Sequence, residues 1–361
     1  MLITLATILG IAVLIVAHEW GHFWAAKKFH LKVEEFGVGF PPRLFSKRKG
    51  ETVYSFNVLP LGGFVKIAGE GENEEDLKHL SAEEKKRLFT FQKPWKRAVV
   101  IGAGIAMNFL LGWLILTTVF LIGTPQGIAI GDVEKGSPAE IAGLKQGEVI
   151  MGFGETVTTA ETAIENGESL AHDFSQFVDQ HKGREIQLFV ETDGKKVLIP
   201  VTLRTMPEPN QGTLGIRFTA IGIPRQGFFE AIRRSFEQAV VIVVLTVQGL
   251  ANLLRDIFFK ASIPEDVVGP VGIFRFAQET GKINLIYLLH LMSVISLNLA
   301  VLNAIPFPAL DGGHLLFIFI EKLKGSAIRT KTKLVINTTG ISLLILLMLV
   351  LTVREVQNLA F

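Results

Sequence analysis

The chain has 361 residues, 49% of them hydrophobic and 19% charged, with a formal net charge of +2. A mean hydropathy of +0.41 is too apolar for an ordinary soluble domain, and this many charges are too many for a chain wholly buried in lipid, so a membrane protein with a polar domain fits both. The charge balance offers no footing for nucleic acid, and the absence of cysteine excludes disulfides and thiolate metal sites.

The chain opens on MLITLATILGIAVLIVAHEWGHFWAAKKF, an apolar run followed by lysines. It has no basic stretch ahead of the apolar run and no small-residue cleavage site, so it reads as a retained spanning helix rather than a secretory signal. A span needs about 20 apolar residues. Four segments qualify, at about 2–23, 98–122, 284–306 and 334–353. The loops after the first and third, KKFHLKVEEFGVGFPPRLFSKRKG and EKLKGSAIRTKTK, are both basic. The positive-inside rule therefore puts both loops in the cytoplasm and both termini, with segment 124–283, outside.

Within 51–70, β-prone residues flank Gly62-Gly63 and predict two strands and a turn. That hairpin can offer an edge strand beside the first helix, and it equally fits an ordinary surface hairpin. The acidic and basic run 70–87 reads as a solvated loop with a short helix. Segment 124–205 changes character: EIQLFVET and KKVLIPVTL alternate with turns such as Asp193-Gly194, the pattern of a small β domain. Residues 227–260 are helical, but their apolar core, about Ala239 to Leu254, is short and interrupted by Gln248 and Asn252. A fifth span there would also move the end of the 284–306 helix to the opposite face from the end of the first helix. An amphipathic, interfacial helix is the expectation.

The chemistry starts at His18, Glu19 and His22. Histidines four apart share one helix face and can bind one Zn²⁺, while the glutamate after the first reaches a water rather than the metal. Ionisable groups inside a span are costly and functional by default. A catalytic zinc takes three protein ligands, so a third must come from another helix. The 284–306 helix ends in NAIPFPALDGGHLL, where Pro306 and Pro308 forbid regular helix and Gly312-Gly313 permits close backbone approach. Asp311, at the same predicted depth as the histidines, completes a two-histidine, one-carboxylate set; His314 is the rival ligand, ranked below it.

These features together resemble the site-2 protease family of intramembrane zinc metalloproteases. HExxH lies in the first span and NAIPFPALDGG in a later one. GDVEKGSPAEIAGLKQGEVI is similar to the PDZ signature, and GPVGI at Gly269 to Ile273 matches the RseP-type bacterial group. The resemblance implies a multi-span α-helical membrane protein of four transmembrane helices. It carries a cytoplasmic-side β-hairpin and an inserted extracytoplasmic PDZ domain. The expected divisions are 1–123 (two spans and hairpin), 124–222 (PDZ), 223–283 (interfacial helices) and 284–361 (two spans). It further implies one zinc per chain on His18, His22 and Asp311, with Glu19 as general base. Asn303, eight residues before Asp311, matches an asparagine implicated in substrate handling. The hairpin corresponds to one thought to pair with an unwound substrate. Implied partners are the bilayer and single-pass membrane substrates trimmed first by another protease, among them anti-sigma factors and remnant signal peptides, in a bacterial inner membrane. Many members carry two PDZ domains, and 124–222 has room for one. A metal transporter or a PDZ-bearing scaffold without proteolysis are the readings from other classes. The glutamate beside the first histidine argues against the former, and an intact HExxH with a matching aspartate against the latter.

Overall fold

The computed structural model describes residues 2–72, 77, 79–124, 126–154, 170–192, 195–206, 212–260 and 268–360. The turn at 193–194 lies outside these. The chain divides into two compact units, Met1–Thr117 with Arg233–Phe361, and Thr118–Ile232.

The first unit is built on apolar helices. Helix α1 (Leu2–Lys28) carries Lys27 and Lys28 in its last turn, where cations favour the negative end of the helix dipole. It stops at His30, which adopts the left-handed conformation (φ 59°). A short loop leads to β1 (Val33–Lys49) and β2 (Thr52–Ile67), then to a single capped turn, α2 (Ala82–Lys85). Helix α3 (Pro94–Ile122) returns. After the second unit come α6 (Phe228–Lys260), α7 (Pro270–Ile283), α8 (Leu285–Ala304), α9 (Asp311–Lys324) and α10 (Thr330–Ala360). Among the described residues five helices are long and apolar enough to cross a membrane, α1, α3, α6, α8 and α10. The sequence expectation of four left out α6. Gln248 and Asn252 lower its hydropathy without taking it out of the range of a span. The helix is continuous over 33 residues. Thr246 on α6 donates to the Asn298 side chain on α8 at 2.7 Å.

The strand region differs from the expected hairpin inside 51–70. β1 and β2 are each bent in the middle, and four segments pair from the two strands. Residues 43–49 run antiparallel to 52–57 (Arg48 opposite Val53). The latter also lies alongside 35–38, with Glu35 opposite Val53 and Val38 opposite Phe56. On its other side 35–38 runs antiparallel to 63–66, Phe36 facing Val65 and Val38 facing Gly63. Segment 63–67 is therefore an edge. The prolines and basic residues of 33–49 read as a loop in sequence, yet Pro41-Pro42 marks the bend and the cations lie in a partly exposed outer strand. The bends carry exposed Phe40, Leu44, Val58 and Leu59. The turn at Glu51 is instead fastened by Lys27 of α1 (2.8 Å) and by Arg87.

One buried ion cluster ties the helices. The Glu321 carboxylate on α9 accepts from Arg97 of α3 (2.9 Å), from Lys333 of α10 and from the Ile328 backbone N–H. Burial works against it, but these donors hold its carboxyl below the usual range. Glu321→Leu leaves Arg97 and Lys333 without their counter-charge and should cost about 3–5 kcal/mol in denaturant unfolding in detergent. Glu321→Gln, which keeps an acceptor, should cost less.

The second unit is a five-stranded antiparallel sheet in the order β6-β5-β4-β3-β7. Its strands are β3 (Gly127–Val133), β4 (Val149–Gly154), β5 (Glu185–Thr192), β6 (Lys195–Thr202) and β7 (Ile216–Ile221), with helices α4 (Pro138–Ile141) and α5 (Leu170–Gln180). Alternating burial along β5 sends Ile186, Leu188 and Val190 into a core shared with Ile128, Ile150 and Phe174. Ser137 caps α4 by accepting from the Glu140 N–H.

Candidate metal centre

Two elements distant in sequence supply the donors. On α1, His18 and His22 stand one turn apart, their Nε2 atoms 3.1 Å from each other. Asp311 is the first residue of α9, and the bend that delivers it has local causes. Pro306 keeps Ile305 extended (φ −67°, ψ 137°) and ends α8. Ala309 is then held left-handed (φ 75°), a strained state for a side chain. The Ala309 N–H donates to the Asn337 side chain of α10 at 3.2 Å, which secures it. At Gly312 a Cβ would lie 2.1 Å from the Ile305 carbonyl oxygen, and at Gly313 2.3 Å from that of Phe307. Both positions demand glycine for the loop to close on its own helix.

Asp311 Oδ2 comes within 3.2 Å of His18 Nε2 and 3.4 Å of His22 Nε2. It is buried with no hydrogen-bond partner of its own. All three donor atoms lie within 4.8 Å of one another. Zinc bonded tetrahedrally at 2.0–2.1 Å requires donors about 3.3 Å apart. The observed separations of 3.1, 3.2 and 3.4 Å fit that requirement, and the donor set is one zinc accepts.

The donors open on a cavity of about 170 Å³ whose wall includes Glu19, Val65, Ile67, Glu70 and His314. Glu19 is pressed against the edge strand. A Cβ at Gly63 would touch its Cγ at 3.2 Å, and the Val65 backbone N–H hydrogen-bonds its carboxylate. His314 lies one turn beyond Asp311 on the wall, outside the donor cluster. Asn303 sits in the last turn of α8, half-buried, and is not among the described residues that line the cavity.

Sequence reasoning missed three contributors. Glu70, just past β2, joins this cavity to a second one of about 240 Å³ that Arg97, Glu321 and Lys333 also line. Its surroundings of protein push the Glu70 carboxyl up to about 7, against the attraction of His22 and with the repulsion of Asp311 and Glu19. The Val100 carbonyl faces His22 Nδ1 at 3.0 Å, and the Asn108 side chain faces His18 Nδ1 at 3.2 Å. Both lie in α3, where no local pattern marks them.

Comparison with known proteins agrees with this chemistry. The family described as Peptidase family M50 matches residues 6–347. The chain is 31% identical over 350 residues to a candidate zinc metalloprotease of Clostridium perfringens, covering 97% of each chain. It is 28% identical over 431 aligned positions to the regulator of sigma-W protease RasP of Bacillus subtilis, covering 98% of each. The zinc metalloprotease RasP of Bacillus licheniformis is also 28% identical, over 98% of this chain and 99% of its own. The 431 positions exceed the 361 residues here, so the Bacillus subtilis protein carries inserted sequence that this chain lacks. By this match the chain belongs to peptidase family M50, the site-2 proteases, and is a zinc metalloprotease.

Proposed function

We propose that the protein is an intramembrane endopeptidase that hydrolyses a peptide bond in or beside the transmembrane segment of a single-pass membrane protein. The observation that carries this reading is a two-histidine, one-aspartate donor set on α1 and α9, with the Glu19 carboxylate beside it, next to an open sheet edge. His18, His22 and Asp311 would hold the zinc, which supplies Lewis acidity that polarises a scissile carbonyl and acidifies water. Glu19 takes the proton from the attacking water at its carboxylate and passes it to the departing amine. The Val65 N–H, hydrogen-bonded to that carboxylate, keeps it aimed into the cavity.

A helical substrate hides its carbonyls in its own hydrogen bonds, so it must be unwound before cleavage. Edge segment 63–67 can take the unwound strand by β-augmentation and replace the bonds it loses. Phe64→Pro kinks that edge and should abolish cleavage of a transmembrane peptide while zinc content stays at wild type. Full cleavage by Phe64→Pro would remove the strand from the mechanism. Asn303, close to the loop that presents Asp311, is assigned to substrate contact during this step.

The basic loops favour a cytoplasmic active-site face, with both termini and the inserted domain outside. The helix contacts support the same parity. In α7, Gln278 accepts from Thr4 near the start of α1, and the Gly269 and Gly272 N–H groups donate to Glu355 near the end of α10. Both ends of α7 thus sit level with the outer ends of spans. We read α6 as lying along the outer interface, which leaves α1, α3, α8 and α10 as the four crossings.

In the second unit, edge strand β7 and helix α5 flank a cavity of about 330 Å³ lined by Phe174, Val178, Gly212, Leu214, Gly215 and Phe218. This is a PDZ-like groove suited to an extended peptide end. It serves to admit substrates already trimmed outside the membrane. Deleting 124–222 should then permit cleavage of untrimmed substrate. The name of the Bacillus subtilis relative favours regulators of sigma factors as substrates, and remnant signal peptides share the required single-pass form. The reading as a whole is tested on purified protein in detergent. It should hold one zinc and cleave a synthetic transmembrane peptide, and Asp311→Ala should lose both. Zinc retention by Asp311→Ala would overturn the assigned ligand set.

A further inference from the structure

Each imidazole at the metal centre needs a second partner. With zinc taken at Nε2, the proton of a neutral ring resides on Nδ1, and a buried N–H without an acceptor is costly. For His22 the acceptor is the Val100 carbonyl, 3.0 Å from Nδ1, a group that can only accept. That contact alone fixes the His22 tautomer.

For His18 the corresponding place is taken by the Asn108 side chain of α3, 3.2 Å from Nδ1. Asn108 is 1% exposed. Its backbone carbonyl accepts from the Ser296 hydroxyl of α8 at 2.8 Å, so α3 and α8 are joined there without using its side chain. The amide itself is half-used: Nδ2 faces His18, and Oδ1 is buried with no hydrogen-bond partner. Half a turn about the Cβ–Cγ bond exchanges the oxygen and nitrogen. With Nδ2 towards the ring, Asn108 donates to Nδ1 and the ring proton goes to Nε2, where it blocks the metal. With Oδ1 towards the ring, Asn108 accepts the Nδ1–H, and the Nε2 lone pair points at Asp311.

We propose that Asn108 is a positioning residue for the metal centre, its side-chain oxygen selecting the metal-binding tautomer of His18. This rests on the assignment of His18, His22 and Asp311 as zinc ligands. Outer partners of this kind are worth about 10–100-fold in metal affinity. The buried amide is otherwise idle, since its only side-chain hydrogen-bond partner among the described residues is His18.

The test is zinc affinity, measured by competition with a graded chelator on the full-length protein in detergent. Asn108→Ala and Asn108→Leu should each bind zinc about 10–100-fold more weakly. Asn108→Asp, which offers only acceptor oxygens, should hold zinc as tightly as wild type. Excess zinc should restore cleavage to Asn108→Ala, because the residue acts through His18 and not on substrate. Wild-type affinity in both Asn108→Ala and Asn108→Leu would overturn the proposal. So would a loss in Asn108→Asp equal to that in Asn108→Ala, which would mark Asn108 as a donor or as packing. A wild-type protein without zinc would instead overturn the ligand assignment beneath it.

Discussion

Glu19→Gln should retain zinc and lose proteolysis, with kcat on a transmembrane peptide falling by about 10³-fold or more. Glutamine has the shape of glutamate, and its Oε1 can still accept the Val65 N–H that the carboxylate receives. The contact with Gly63 at 3.2 Å is to Cγ, an atom both side chains share. What disappears is the ability to take a proton from water at neutral pH and return it to the leaving amine. The three donors at 3.1–3.4 Å from one another do not include Glu19, so metal content should not change. Zinc by atomic absorption and cleavage by mass spectrometry, on the same preparation, separate the two effects. Cleavage within about tenfold of wild type would take the general-base role from Glu19, because a positioned base contributes at least about a hundredfold. Loss of zinc would make it a structural support of the site.

The reach of the sequence is clearest at this centre. HExxH is legible because a helix converts a spacing of four into a shared face, and spacing survives without any tertiary contact. Asp311 is legible for a different reason: Pro306, Pro308, Gly312 and Gly313 announce broken helix around a carboxylate, and the structure shows what each break permits. The four apolar runs expected as spans fall on α1, α3, α8 and α10, with ends displaced by up to seven residues, while a fifth candidate, α6, was not expected to cross. What was not legible depends on contacts made across the fold. Segment 33–49 carries Pro41, Pro42, Arg43, Lys47, Arg48 and Lys49, which locally argue for a loop, yet 35–38 pairs on both sides and 43–49 pairs with 52–57, and that makes it strand. Helix α6 was expected as a helix but not as a span, because hydropathy drops at Gln248 and Asn252, yet over its length it is long and apolar enough to cross. Asn108 and Val100 were missed because a lone asparagine and a backbone carbonyl in the largely apolar body of α3 name no partner by themselves. In such a helix a side chain's partner is set by which face meets α1, and that is decided by packing.

The same helix yields the sharpest test of how the imidazoles are accommodated. Gly102 and Gly104 both lie in the middle of α3, and helix propensity alone predicts that alanine at either stabilises by up to about 1 kcal/mol. Their surroundings differ. A Cβ at Gly102 would meet nothing within 4 Å, so Gly102→Ala should fold, bind zinc and cleave as wild type. A Cβ at Gly104 would fall 2.3 Å from His22 Nε2 and 2.9 Å from His18 Cε1. No heavy atom tolerates such separations, so one or both rings must turn. The rings are held from behind by Val100 and Asn108, and turning them breaks those hydrogen bonds as well as the convergence on Asp311. A misplacement of about 1 Å at a reacting centre costs about 10²-fold in rate. Gly104→Ala should therefore reduce cleavage by at least that factor and weaken zinc retention under chelator. Its unfolding midpoint after chelation should lie below that of Gly102→Ala, because each ring hydrogen bond lost costs about 0.5–1.5 kcal/mol with or without metal. If Gly104→Ala kept both zinc and cleavage, the imidazoles would have to reach the metal from some other arrangement than the one drawn by α1 and α3.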